Sequence, residues 1–260
     1  MDNMTTKFNR PSRNDDDDDN EVSSTSELEI FRSAGRSLGK PTPRHLNLEE
    51  FERVHLYALH NCDELLEFVK EHKEMLSIVN SIPKSVEMRH KTQFAEWVRS
   101  RVSHMYEEGS VHEDLYYLVC GPLRTVRCYS GYIVNGFRFH TLDRQENRKT
   151  QNSGVMVRGD DHSDKEYYGV LRDIYELQYP NGNHLFAFKC DWYDVQHQGK
   201  GYRVDEYGLI SVCTDLALAT HEPFVLESQV EQVFYVPDPR NKKWLYVIKT
   251  EPRDLYNMPE

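Results

Sequence analysis

The sequence predicts an α+β fold: a disordered N-terminal tail and a small helical segment, followed by an antiparallel, all-β domain that resembles a small barrel. Between residues 47 and 121 apolar residues recur at helical spacing, and from residue 123 the apolar period changes to two. Turn signals rich in Gly, Pro and Asn separate the short strands, as in small barrels. We therefore divide the chain into a tail (1–45), a helical segment (46–121), a basic hairpin and linker (122–158), a β-barrel-like domain (159–250) and a second tail (251–260).

The composition excludes several classes of protein. The chain has 260 residues, of which 38% are hydrophobic, and no apolar run approaches the ~18 residues that a membrane span needs. No apolar stretch follows Met1, so we expect no secretory signal. The five cysteines form no CxxC pair, which argues against a disulfide scaffold or a zinc ribbon and indicates a reducing compartment. A net charge of −11 makes the chain as a whole a poor non-specific ligand for nucleic acid.

The first 45 residues are predicted to be disordered. They contain five consecutive aspartates at residues 15–19, a serine-rich cluster at residues 23–26 and few apolar residues. Such a segment buries too little surface to offset the entropy of ordering it. The aspartates could mimic nucleic acid or bind a basic partner, but a solvated tail is the more common role of such a run.

Helix signals follow. Asn47 precedes Glu50 by three residues, and Asn61 precedes Glu64 by three, so each pair predicts a helix start with an asparagine cap. Pro83 separates a third helix that ends near Gly109. A short fourth helix is predicted over residues 112–119.

Two hairpins dominate the β region. The Asn-Gly pair within residues 132–139 predicts a two-residue turn that joins Val134 to Phe137 and Tyr132 to Phe139. A longer hairpin, residues 171–192, turns at residues 180–183. Its predicted pairs are Leu177 with Phe186, Tyr175 with Phe188 and Leu171 with Trp192, with Arg172 opposite Asp191 on the reverse face. Further strands are predicted at 208–213, 224–227, 230–237 and 244–249.

Several long motifs resemble one family, the plant CACTA transposons of the En/Spm type. The motifs read YSGYIVNGFRFHTLDRQENRKTQNSGVMV (129–157), YYGVLRDIYELQYPNGNHLFAFKCDWYDV (167–195), VDEYGLISV (204–212) and EPFVLESQVEQVFYVPDP (222–239). They are similar to the C-terminal domain of unknown function of the transposase-like proteins of these elements. Residues 35–76 resemble the linker and helical region that precedes it, so the resemblance covers about residues 35–250.

The resemblance implies a transposon-derived plant protein with a nuclear location. Full-length relatives carry an RNase-H-like catalytic domain upstream, which is not part of this sequence, and the C-terminal domain has no assigned catalytic residues. We therefore expect a non-catalytic accessory region that contacts DNA or a transposase partner.

The sequence gives little support for a catalytic or metal-binding site. Paired magnesium ions need clustered carboxylates, and the candidates by proximity are Asp191, Asp194, Asp205 and Glu206. We interpret them as surface and turn carboxylates. Zinc ligands were sought among His55, His60, Cys62 and His72, whose spacing matches no usual ligand pattern. No catalytic residue, metal or cofactor is predicted.

Nucleic-acid contact has better support, because residues 122–158 carry a net charge of +5 between acidic neighbours. The candidate phosphate contacts are Arg124, Arg127, Arg138, Arg144, Arg148 and Lys149, with Arg158 nearby. The interleaved aromatics at residues 132–139 are expected in the core rather than on bases. The competing interpretation, favoured by internal charge complementarity, is that this basic segment docks on the acidic parts of its own chain.

A protein-interaction or chromatin-reading barrel is the alternative function. Four aromatic residues are candidates for a cage around a methylated lysine: Trp192, Tyr193, Tyr207 and Tyr235. A buried tryptophan would exclude that cage. The expected partners are thus DNA, a transposase or a chromatin protein, with no membrane, and the oligomeric state stays open.

Overall fold

The computed structural model describes residues 26–33, 35–79, 82–146, 148–159, 165–220 and 222–252. These residues form a mixed α+β structure with antiparallel sheets, which confirms the predicted class. None of the helices in this part of the chain is long and apolar enough to cross a bilayer.

Four helices form one layer, and a fifth is short. They are α1 (Leu48–His60), α2 (Leu66–Val79), α3 (Pro83–Glu107), α4 (Glu113–Cys120) and α5 (Leu142–Gln145). Asn47 caps α1 as predicted, because its Oδ1 accepts a hydrogen bond from Glu50 N at 2.8 Å. Pro83 is the first residue of α3, and Gly109, with φ +70°, follows its end, which confirms both predicted boundaries.

The second predicted cap is wrong. Asn61 ends α1 instead of starting the next helix, and its Nδ2 donates to Tyr57 O at 2.9 Å. A 3₁₀ turn, Asp63–Leu65, leads into α2, and Glu64 accepts from the Cys62 thiol rather than reaching back to a cap. An asparagine side chain can also donate to a carbonyl group at a helix C-terminus, so the spacing alone did not decide its role.

Within the described residues, thirteen strands form two antiparallel sheets. The strands are β1 (Arg36–Ser37), β2 (Thr42–His45), β3 (Thr125–Tyr129), β4 (Gly131–Val134), β5 (Phe137–His140), β6 (Gly154–Arg158), β7 (Glu166–Gln178), β8 (His184–Trp192), β9 (Tyr202–Val204), β10 (Ile210–Cys213), β11 (Phe224–Leu226), β12 (Val230–Pro237) and β13 (Trp244–Lys249). The smaller sheet has the order β1-β4-β5. The larger sheet follows β11-β8-β7-β6-β12-β13-β10-β9, and β3 joins β2 to β7. The pairings between described strands give this sheet an open order, from β11 to β9.

The Asn-Gly hairpin has the predicted register. Val134 pairs with Phe137 and Tyr132 with Phe139. Asn135 and Gly136 have φ values of +52° and +74°, which is the turn that matches the twist of a two-residue hairpin.

The register predicted for the long hairpin is wrong by one residue. Tyr175 pairs with Ala187 and Leu177 with Leu185, because Tyr179 N donates to Asn183 O and closes a three-residue loop. Gly182, with φ +89°, supplies the left-handed residue that such a loop needs. A bulge at Arg172 shifts the register again toward the start of β7. Arg172 still forms an ion pair with Asp191, the residue predicted to lie opposite it, at 2.5 Å.

The new register lets both faces of the β7–β8 hairpin be buried. Tyr175 and Leu177 face the helices, in a core that includes Phe94 of α3. Ile174 and Phe188 lie on the opposite face, in a second core beneath the smaller sheet. A third core packs β12 and β13 against the start of β7. The helical segment and the strands therefore share a core.

The N-terminal segment is packed from Ser26 onward. Residues 1–25, which include most of the predicted tail, lie outside the described residues. Leu28 and Phe31 are buried, and the Phe31 ring contacts Tyr179 with ring centroids 4.9 Å apart. Because β1 and β2 then pair with β4 and β3, the predicted disordered tail does not extend over residues 26–33 and 35–45.

Candidate nucleic-acid interface

The smaller sheet has one apolar face and one basic face. Tyr132 and Phe139 point into the second core, so the residues that alternate with them point outward. The register places Arg36 of β1 opposite Ile133, and Ile133 opposite Arg138 of β5. Arg36 and Arg138 therefore lie on the same outward face, two strands apart, or roughly 10 Å at the backbone.

Arg144 covers the next row of this face. Its guanidinium donates to Ser130 Oγ at 3.0 Å and lies 3.5 Å from Leu38 O. A Cβ on Gly131 would come within 2.9 Å of the guanidinium, so glycine there allows the close approach. These contacts place the guanidinium against the sheet.

The loop after α5 presents two more cations. Gln145 Oε1 accepts hydrogen bonds from the backbone of Asn152 (2.6 Å) and Ser153 (2.8 Å), and Asn152 Nδ2 donates to Arg138 O. Gln145 thus ties both ends of the loop together beside β5. Arg148 and Lys149 are exposed within that loop.

We call five cations the basic face: Arg36, Arg138, Arg144, Arg148 and Lys149. No carboxylate among the described residues lies within the 4.0 Å ion-pair distance of any of them. Asp143 and Glu146 are exposed on α5 and at its end, and neither is paired with them. The positive charge of this surface is therefore not cancelled by salt bridges in the part of the chain that the structure describes.

His140 lies beneath these arginines. It is 3% exposed, and neither ring nitrogen has a hydrogen-bond partner. Burial, with the charges of Arg144, Arg148 and Arg138, lowers the pKa of His140 to about 4. The Arg144 guanidinium and the His140 ring both border Gly131, where an added Cβ would lie 2.9 Å from Arg144 Nη1 and 3.1 Å from His140 Cδ2.

The remaining predicted cations lie elsewhere. Arg124 stacks on the Phe51 ring, 5.7 Å from its centroid. Arg127 lies 3.4 Å from the Glu176 carboxylate, and Arg158 lies 3.0 Å from that of Glu231. Among the described residues, pairing within the chain, the competing interpretation, therefore holds for Arg127 and Arg158 and not for the basic face.

The predicted aromatic cage does not form. Trp192 is only 8% exposed and belongs to the second core, whereas Tyr235 belongs to the third, with its hydroxyl donating to Gly169 O at 2.8 Å. Tyr193 packs edge-on against Tyr235, and Tyr207 is 87% exposed on a turn. Alternation along β8 separates these rings, since successive residues point to opposite faces.

Three of the four carboxylates considered for magnesium have other partners, and Glu206 is exposed. Asp191 pairs with Arg172, and Asp205 Oδ1 accepts two backbone hydrogen bonds within its own turn, from residues 207 and 209. Asp194 accepts from Gln196 N and lies 2.7 Å from His197 Nδ1. Within the described ranges, no group of three or more His, Cys, Asp or Glu side chains is arranged to hold a metal ion.

The histidines considered for zinc are divided. His55 Nε2 lies 3.2 Å from Leu118 O, away from the others, and Cys62 donates to Glu64. His60 and His72 instead meet His90 of α3, which the sequence interpretation did not include. The signal for His90 is its place on the apolar face of α3, four residues before Phe94.

One comparison with known proteins gives a result. Residues 175–247 match the family described as Domain of unknown function (DUF4216). The match runs from the middle of β7 into β13 and lies downstream of the basic face. No curated protein and no solved structure matches the chain.

Proposed function

We propose that this protein is a transposon-derived, non-catalytic accessory region of a CACTA transposase-like protein, and that it contacts DNA in the nucleus through the basic face. The similarity of residues 35–250 to the C-terminal region of En/Spm-type proteins supports the context. The domain of unknown function at residues 175–247 lies within that region.

The observation that carries the DNA contact is that the basic face has no carboxylate partners among the described residues. In a chain of net charge −11, nearby carboxylates are abundant, and Arg127 and Arg158 have found them. Five cations on neighbouring elements, without such partners among the described residues, suit a polyanion supplied from outside. Phosphates of a nucleic-acid backbone provide that charge at regular spacing.

The non-catalytic role is supported by the engagement of the acidic side chains. Asp191 neutralises Arg172, and Asp205 stabilises a turn. Because these carboxylates stabilise the fold, we assign them no catalytic role and propose that the protein acts by binding.

The test is the affinity of the full chain for duplex and single-stranded DNA across a salt series. R138A/R148A removes two cations of the basic face, and R158A/K243A removes two exposed cations that are already paired within the chain. Because each phosphate contact contributes about 0.9 to the slope of log K against log salt for duplex DNA, we expect R138A/R148A to lower the slope by about two. The control leaves the slope unchanged.

Equal slopes for the two double variants would contradict a contact at the basic face. No binding at low salt would contradict the DNA contact altogether. A transposase partner would then become the better candidate ligand, and exposed apolar side chains at Ile78, Val79 and Met88 give such a partner a surface.

A further inference from the structure

We infer that the chain carries its own competitor for DNA: the acidic run (residues 15–19, all aspartate) docks on the basic face. The docking is inferred from charge complementarity and chain length. The competition with DNA rests on the DNA contact proposed above.

Charge complementarity is the first argument. The acidic run contributes five consecutive carboxylates, and the basic face contributes five cations. The chain contains no other run of five like charges. Arg127 and Arg158 are neutralised by carboxylates of the same chain, so pairing within the chain is already the pattern for this basic segment.

Chain length is the second argument. The centre of the acidic run, Asp17, precedes the first described residue, Ser26, by nine residues. Nine residues span at most about 30 Å. The segment from Ser26 to Arg36 contains a 3₁₀ turn and spans at most about the same distance. At full extension the run can therefore approach the edge strand β1, where Arg36 borders the basic face.

The covalent link makes this contact effective. Exposed pairs between separate molecules are weak, but a tether that spans the distance raises the local concentration of the run to the order of millimolar. DNA must then displace the run before it reaches Arg138, Arg144 and Arg148. The contact weakens with salt, because both partners are charged and exposed.

A first experiment needs no DNA. A carbodiimide activates a carboxylate, the Lys149 amine attacks it, and an amide forms with loss of a urea. We expect digestion and mass spectrometry to identify a cross-link between the acidic run and Lys149 in the full chain at low salt, and not at 1 M salt. The Lys243–Asp215 pair, at 2.5 Å, is the internal positive control.

A second experiment measures duplex affinity. In D15N/D16N/D17N/D18N/D19N the competitor loses its charge, and we expect the affinity at low salt to rise about tenfold or more. E52Q/E74Q/E96Q/E107Q/E206Q changes the net charge equally at exposed, unpaired positions, so it reports long-range repulsion alone. The gain of the aspartate variant over this control should vanish in the R138A/R148A background.

The outcomes separate the two proposals. Recovery of the Lys243–Asp215 link without any link from the acidic run to Lys149 would overturn the docking, as would an equal gain in affinity for the two five-fold variants. The cross-link without DNA binding by any variant would support the docking and contradict the proposed function.

Discussion

Glu50 joins helix α1 to three strands of the large sheet, β2, β7 and β8. Its carboxylate accepts hydrogen bonds from Lys189 Nζ at 2.6 Å and the Tyr175 hydroxyl at 2.7 Å, and it lies 3.1 Å from the Arg44 guanidinium. Burial alone would raise the pKa of Glu50, but the hydrogen bonds and charges of these three partners outweigh it, so the pKa is lowered. Asp173 adds a second carboxylate to Arg44 at 3.2 Å.

We predict that E50Q destabilises the protein by about 2–3 kcal/mol at pH 7, since it leaves Lys189 and Arg44 without their main counter-charge. E52Q is the control. Glu52 lies two residues further along α1 and is exposed, so this change should alter stability by less than about 0.5 kcal/mol. Urea unfolding at equilibrium measures both. A loss in E50Q no larger than that in E52Q would contradict this role.

The lowered pKa of Glu50 also sets a pH dependence. The ionised form is favoured in the folded state, so its contribution to stability is present above the ordinary pKa, 4.5, and is lost as the pH falls through the lower, folded value. We expect the acid side of the stability profile to be shallower in E50Q than in the parent.

At the scale of elements, three histidines hold the α2–α3 pair to the end of α1. His72 and His90 are each 1% exposed, with their Nδ1 atoms 2.8 Å apart, and the His60 ring stacks on His90 at 5.5 Å. Phe94 and Trp97 complete the cluster. Burial, with the neighbouring charges of His60, Lys73 and His72, lowers the pKa of His90 to about 4.

This cluster predicts an acid-sensitive helical layer. Below pH 6.5 the unfolded chain binds a proton at His90 that the folded chain does not, so stability contributed by the neutral ring falls between pH 6.5 and about 4. One proton that binds only to the unfolded chain changes the free energy of unfolding by about 1.4 kcal/mol per pH unit. We expect H90F to reduce the slope of unfolding free energy against pH in this window, whereas H104F, on the exposed side of the same helix, leaves it unchanged. The same slope in both variants would contradict the assignment of this acid sensitivity to His90.

The whole molecule is organised around the β7–β8 hairpin, which is covered on both faces. Helices pack on one face, and the smaller sheet packs on the other, so the basic face is the outer surface of the second layer. The N-terminal segment completes this arrangement. Phe31 fills the first core, and Arg36 then joins the basic face from β1.

We predict that F31A costs about 3–5 kcal/mol, because it empties a fully buried aromatic site in a core shared by helices and strands. I78A, at a side chain that is 87% exposed, is the matched truncation and should stay within about 0.5 kcal/mol of the parent. Chemical denaturation of both variants tests this. Similar stability for the two would show that residues 26–33 are not part of the cooperative unit.

The sequence by itself determined the local features of this protein. Helix boundaries at Asn47, Pro83 and Gly109, and the turn at Asn135 and Gly136, follow from side-chain hydrogen bonding and from backbone angles that few residues adopt. The change from helical to alternating periodicity gave the α+β class. The positive charge of residues 122–158 made Arg138, Arg144 and Arg148 candidate phosphate contacts, because these arginines are close along the chain.

Only the tertiary structure decided how distant segments meet. Arg36 lies about a hundred residues before Arg138, and only the pairing of β1 with β4 brings the two to one face. Gly182 and the bulge at Arg172 set a register that alternation alone had placed one residue away. Trp192 is buried in the second core, which excludes the alternative cage. His60, His72 and His90 share no ligand spacing along the chain, yet three helices bring them into contact. Local patterns fix what each segment forms, whereas long-range contacts depend on how the buried faces of separate segments fit together.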